Sequence, residues 1–167
     1  MSHATTFHGK FNLAPKLTAE QVKYLTKFAR TRRMKRDEFI TERMPDPIRN
    51  AVNLPIGWEA QYYVGSQALM GQDCNPPSVV HPNEPPSNQP SLYCQWIPSQ
   101  DGEFIEWDGN DSFNYPTEWL NYLIEDFFTR WAITVNGCVE WRGEKGDETN
   151  TGTITVVNNS YVVLKKN

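Results

Sequence analysis

The chain has 167 residues, enough for one domain with a real apolar core. Hydrophobic residues make up 38% and charged residues 22%, which excludes a wholly disordered chain, and no apolar run approaches the roughly 18 residues of a membrane span. The net charge of −4 is unevenly spread: residues 1–50 carry 11 basic and 5 acidic residues, net +6, whereas residues 51–167 carry 5 and 15, net −10.

Such asymmetry fits a nucleic-acid arm, an acidic binding face, or two halves that neutralise each other. The N-terminal MSHATTFHGKF has no apolar signal region, so none is expected to be cleaved. Cys74, Cys94 and Cys138 form no C-x-x-C pair. Neither a disulfide framework nor structural zinc is expected, and a cytoplasmic, reducing location fits best.

In chain order, His8–Ala14 alternates as a short strand, with Phe11 and Leu13 on one side. Leu17-Thr18-Ala19-Glu20-Gln21-Val22 then predicts a helix start. Thr18 is the N-cap, Gln21 closes a capping box, and Leu17 and Val22 sit at the positions of a hydrophobic staple. Val22, Leu25, Phe28 and Ala29 form its inner stripe. Arg30, Arg32, Arg33, Lys35 and Arg36 crowd its end, where cations suit the macrodipole and could also hold an anion or a partner.

Met44-Pro45-Asp46-Pro47 closes that segment, with one short helical turn within 46–52. Trp58–Gly65 reads as a strand with Trp58, Ala60, Tyr62 and Val64 on one face. Residues 71–91 contain six of the twelve prolines and no amphipathic period, and are expected to form a surface loop inserted in the single domain 1–167.

Leu92–Ile97 and Phe104–Trp107 read as strands joined by the Pro98–Gly102 turn, with Leu92, Cys94 and Trp96 on one face and a Trp on each strand for cross-strand contact. Pro116 opens a helix to about Trp131 whose stripe runs Trp119, Leu120, Leu123, Ile124, Phe127, Phe128, Trp131. Ala132–Val135 and Cys138–Arg142 read as a hairpin about Asn136-Gly137, a dipeptide that accepts positive φ. Thr153–Val157 and Tyr161–Leu164 read as a second hairpin about Asn158-Asn159, with Lys165 and Lys166 blunting the end.

This order predicts an α+β fold, an antiparallel sheet covered by two helices. The ferredoxin-like, split β-α-β arrangement with an extended C-terminal meander is one pattern that fits.

Candidate chemistry is sparse. Asp108-Gly-Asn-Asp111 starts like a calcium loop, but Phe113 and Trp119 stand where Gly and Glu are required, so a turn is expected and no metal. No zinc-hydrolase, nucleophile-elbow, phosphate-loop or dinucleotide motif occurs, and no cofactor is implied. A Cys/His site would need Cys74 and His81, both in the Pro-rich loop. The acids Glu103, Glu106, Asp108, Asp111 and Glu140, with Glu144 nearby, read either as paired carboxylates or as an acidic rim for a partner. No RNP1-like run is present.

The runs FNL…LT…EQ…RRMKRD, YCQW…IEWDG, EWLNYLI and NGCVEWRGE together resemble a family of small uncharacterised proteins from bacteria and their phages, over most of the chain. The resemblance implies no activity and no catalytic residue; it implies a cytoplasmic, mobile-element setting.

Three functional readings follow. The first is a non-enzymatic protein-binding module acting on a host protein. The second is nucleic-acid binding through Arg30, Arg32, Arg33, Lys35 and Arg36. The third is a small enzyme or ligand-binding protein with a pocket of Trp58, Tyr62, Tyr63 and His81 under the 71–91 loop. No membrane partner is expected.

Overall fold

The structure is a computed structural model and describes residues 5–65, 77–143 and 150–166; the side chains of Lys165 and Lys166 are outside the description. Backbone contacts divide the chain into two compact units, Met1–Leu17 with Gln95–Asn167, and Thr18–Cys94. The second unit is thus inserted between the first two strands of the first.

The first unit is a six-stranded antiparallel sheet with one long helix. Its elements are β1 (Thr6–Ala14), β4 (Trp96–Pro98), β5 (Phe104–Trp107), α4 (Pro116–Leu123), β6 (Thr134–Arg142), β7 (Thr151–Val157) and β8 (Ser160–Lys166), in the order β4-β5-β1-β6-β7-β8. Every neighbour pair is antiparallel. β1 and β4 therefore run parallel with β5 between them, and β5 and β6 run parallel with β1 between them. This is the split β-α-β pattern used twice, extended by β7 and β8 as a meander. The first crossover holds the whole second unit; the second is α4.

The helix forms as the stripe predicts. Pro116 sits in its first turn after Tyr115, which is left-handed at φ 59, and Trp119, Leu120, Leu123, Ile124, Phe127 and Phe128 are all buried. From Ile124 to Phe128 it widens into a π segment, with the Thr129 N–H donating to the Ile124 carbonyl at 2.8 Å. The extra residue keeps both Phe127 and Phe128 inward. The helix ends at Phe128 rather than Trp131, and left-handed Ala132 (φ 57) turns the chain into β6. Phe11, Ile105, Val135, Val139, Ile154 and Val156 bury the inner face of the sheet.

The Asn136-Gly137 hairpin is corrected. β6 is one continuous strand, and Gly137 lies between Phe11 of β1 and Val156 of β7. A Cβ at Gly137 would stand 2.6 Å from the Lys10 carbonyl oxygen, so glycine serves close backbone approach rather than a turn. Asn136 in turn accepts from the Asn158 N–H at 2.9 Å and so holds the β7–β8 turn. That turn is at Asn158-Asn159 as expected, with φ 49 and 70. The first hairpin also shifts: only Trp96–Pro98 is strand, because Leu92 accepts from the Arg33 N–H inside the second unit.

The second unit is built differently. It contains α1 (Ala19–Arg30), β2 (Lys35–Arg36), α2 (Glu38–Glu42), α3 (Pro47–Asn50), a 3₁₀ turn at Trp58–Ala60 and β3 (Val79–His81), which pairs with β2. The capping box at Thr18 and Gln21 is present in both directions. Tyr24, Leu25, Phe28 and Ala29 are the buried stripe of α1, with Val22 only half-buried. Asp37 and Asp46 cap α2 and α3.

The expected strand 58–65 does not form. Gly57, Glu59 and Ala60 all have positive φ, and the buried run Ala60–Val64 is consecutive rather than alternating. Its backbone is satisfied by side chains instead of a ladder. Tyr24 Oη donates to the Tyr62 carbonyl at 2.9 Å, while Arg33 and Gln89 donate to the Gln61 carbonyl at 2.5 and 2.8 Å.

Candidate functional site

The open face of the sheet is polar until it reaches its last strand. Across β1, β6, β7 and β8 the rows read Lys10, Cys138, Thr155, Val162 and His8, Glu140, Thr153, Leu164. On β8, Val162, Val163 and Leu164 are 55%, 43% and 61% exposed, and Tyr161 is exposed beside them. Apolar side chains therefore meet solvent on both faces of the strand. Among the described residues no strand pairs with its outer edge. The opposite edge, β4, is only three residues long and ends in Pro98, which blunts it.

On the inner side of the same strand, Val163 lines a cavity of about 250 Å³ together with Phe7, Phe113, Trp141 and Ile154. Thr5, Thr117 and Asn150 add its polar groups. Phe7 meets Phe113 edge-on at 5.8 Å and is flanked by Trp96 and Trp107 at 5.7 and 5.4 Å. Trp141 pairs with Gly152 of β7, where any Cβ would collide with the indole; the bare glycine lets the ring lie across the strand.

Among the described residues, none of the nine lining the cavity is an acid, a base or a cysteine. Its volume is below the roughly 300–1,000 Å³ of a small-molecule site and suits one bulky side chain.

The basic cluster expected near the end of α1 does not gather into one exposed face. Arg30 is exposed just before the helix ends. Arg32 donates to the Pro82 carbonyl at 2.8 Å and to Asn83 at 3.0 Å. Arg33 is buried over the Phe28 ring. Lys35 pairs with Glu84 at 3.4 Å and Glu59 at 3.8 Å. Arg36 is buried against Tyr63 and Ser78.

The acidic rim is likewise divided. Glu103, Glu106, Asp108 and Asp111 lie on or beside β5, while Glu140 is on β6 beyond β1 and bonds Arg142 at 2.7 Å. Asp108 accepts from the Asn110 N–H at 2.8 Å, closing the expected Asx turn. Of the pocket expected in the second unit, Tyr62 and Tyr63 are buried but Trp58 and His81 are exposed, so the four do not share one environment. Cys74, Glu144 and residues 71–76 of the Pro-rich loop lie outside the described residues. Among the described residues, no helix is long and apolar enough to cross a membrane.

Comparison with known families, characterised proteins and solved structures finds no match.

The cavity and the open edge were not singled out in the sequence, although one signal was there. Tyr161-Val162-Val163-Leu164 is apolar without alternation, which in a strand means an apolar surface on both faces. The cavity itself needs Phe7, Phe113 and Trp141 from three distant segments, and no local pattern announces it.

Proposed function

We propose that the chain is a protein-binding module that takes up an extended peptide along β8, with one bulky apolar side chain of that peptide in the adjoining cavity. The supporting observation is the seven-residue edge, unpaired among the described residues, whose apolar residues face both sides of the sheet, with Val163 common to edge and cavity. An added strand would satisfy the outer N–H and C=O groups of β8, and its alternate side chains would fall over Val162 and Leu164 on one face and toward the cavity on the other. The resemblance to small bacterial and phage proteins is what suggests a bacterial host protein as the source of that strand. The nucleic-acid reading draws less support, because Arg33 and Arg36 are buried and Arg32 and Lys35 are engaged within their unit.

The test is selection from a displayed library of random peptides of about ten residues, the upper length of an ordinary strand. The expected outcome is recovery of peptides with an aromatic or branched apolar residue at a fixed position. Their binding should fall at least tenfold in the folded double variant Val162→Lys, Leu164→Lys. Recovery of no binders, or of binders indifferent to that double variant, would overturn the reading.

A further inference from the structure

The second unit contains a buried positive charge that its own described residues leave incompletely satisfied. Arg36 is 4% exposed. Its Nη1 donates to Ser78 Oγ at 2.9 Å and its guanidinium lies 4.8 Å from the centre of the Tyr63 ring. Its Nη2 is buried and meets no acceptor among the described residues.

Among the described residues, the acids Asp37, Asp46, Glu59 and Glu84 are committed elsewhere. Asp46 receives Arg49 Nε at 3.1 Å and the Val64 N–H at 3.3 Å. Glu59 and Glu84 face Lys35. Asp37 caps α2. Burial pushes Arg36 down to about 10; Tyr63 opposes that shift, and the Arg33 guanidinium adds to it. A buried guanidinium with a free N–H and a like charge beside it is costly unless an anion meets it.

Ser78 completes the arrangement. Its oxygen already accepts from Arg36, which leaves its O–H to act as a donor. Two donors, one charged, are thus brought together, and a fork of guanidinium N–H groups is the geometry that holds carboxylate or phosphate oxygens.

We propose that Arg36 and Ser78 form an oxyanion-binding site in the second unit, taking a carboxylate or phosphate oxygen on Arg36 Nη2 and the Ser78 hydroxyl. The site is independent of the β8 edge.

The experiment is thermal unfolding of the full chain, freed of phosphate, with inorganic phosphate or acetate added against sodium chloride at matched ionic strength. Phosphate, acetate or both should raise the midpoint saturably, by roughly 5–10 °C at a hundredfold excess over the dissociation constant. A response to phosphate alone assigns a phosphate-type ligand, and one to acetate alone a carboxylate. Arg36→Met should be at least as stable as the parent in chloride and show no anion response. Arg36→Lys, which keeps the charge without the fork, guards against a misfolded methionine variant and should bind at least tenfold more weakly. Ser78→Ala should weaken the response without abolishing it.

A response of equal size in Arg36→Met and Arg36→Lys would overturn the site, as would the absence of any anion-specific response in the parent.

Discussion

The two units reach stability by opposite routes. The first buries rings and aliphatic chains: Phe11, Trp96, Trp119, Phe127 and Phe128 fill its interior, and Gln95 is its one buried polar residue in the described chain. The second buries Thr31, Arg33, Arg36, Thr41, Asp46, Arg49, Gln61, Ser78 and Gln89. With little sheet to pair its backbone, it uses side chains to satisfy carbonyls and N–H groups. Regular ladders let a core be apolar, and irregular backbone requires polar side chains inside.

The sharpest way to break that contrast is at Asp46, whose carboxylate is wholly buried and receives Arg49 and two backbone N–H groups. Asp46→Ala should cost about 3–5 kcal/mol in denaturant unfolding, because it strands the Arg49 charge. Adding Arg49→Met should recover part of that loss, leaving the Val64 N–H and the carbonyl of Leu54, to which Arg49 donates, as the residue of the cost. If the double variant were as unstable as the sum of its singles, the pair would not be what holds this backbone.

Phe127→Ala is the counterpart in the first unit. Phe127 is fully buried against Tyr122 and Trp131, and its truncation should cost about 3–5 kcal/mol through lost transfer and a residual cavity. Added salt should leave this cost nearly unchanged.

Gly152→Ala probes the seat of Trp141, one of the residues lining the cavity. The new methyl would displace the Trp141 indole and press on the Leu164 carbonyl, so a cost of about 1–3 kcal/mol is expected, with a red or blue shift in tryptophan emission as the indole leaves its place. An unchanged emission spectrum would mean that the ring does not depend on this glycine.

The smallest effect concerns Glu59. Burial pushes its carboxyl up, but the Ser87 hydrogen bonds and the Lys35 charge outweigh that and hold it below its ordinary 4.5. A depressed carboxyl adds stability above its unfolded value and loses it as the pH falls through the folded value. Glu59→Gln should therefore cost at most about 1 kcal/mol at pH 7, and the two stability curves should converge as the pH falls through the lowered folded value. Curves that stay parallel into acid would remove the charge from the explanation.

The same contrast explains what was legible in the sequence. The helix opened by Pro116, the α1 capping box, the Asn158-Asn159 turn and the α+β class follow from periodicity and turn chemistry, which act locally. Gly137 misleads because the positive φ that makes a turn also serves close strand approach, and only the neighbouring strand separates the two. Residues 58–65 mislead because Trp58, Ala60, Tyr62 and Val64 alternate by accident, while the backbone is held by Tyr24, Arg33 and Gln89 from elsewhere in the sequence. The basic residues of 30–36 share no exposed face: Arg33 and Arg36 turn inward, and Arg32 and Lys35 are held by neighbouring loop residues.

The most direct test of the β8 reading is amide hydrogen exchange on the full chain with and without a peptide recovered by the selection described above. The outer amides of Ser160–Lys166 should slow at least tenfold when the peptide binds, while α1 and the 58–65 segment keep their rates. Protection confined to the second unit, or none along β8 at saturating peptide, would contradict the account.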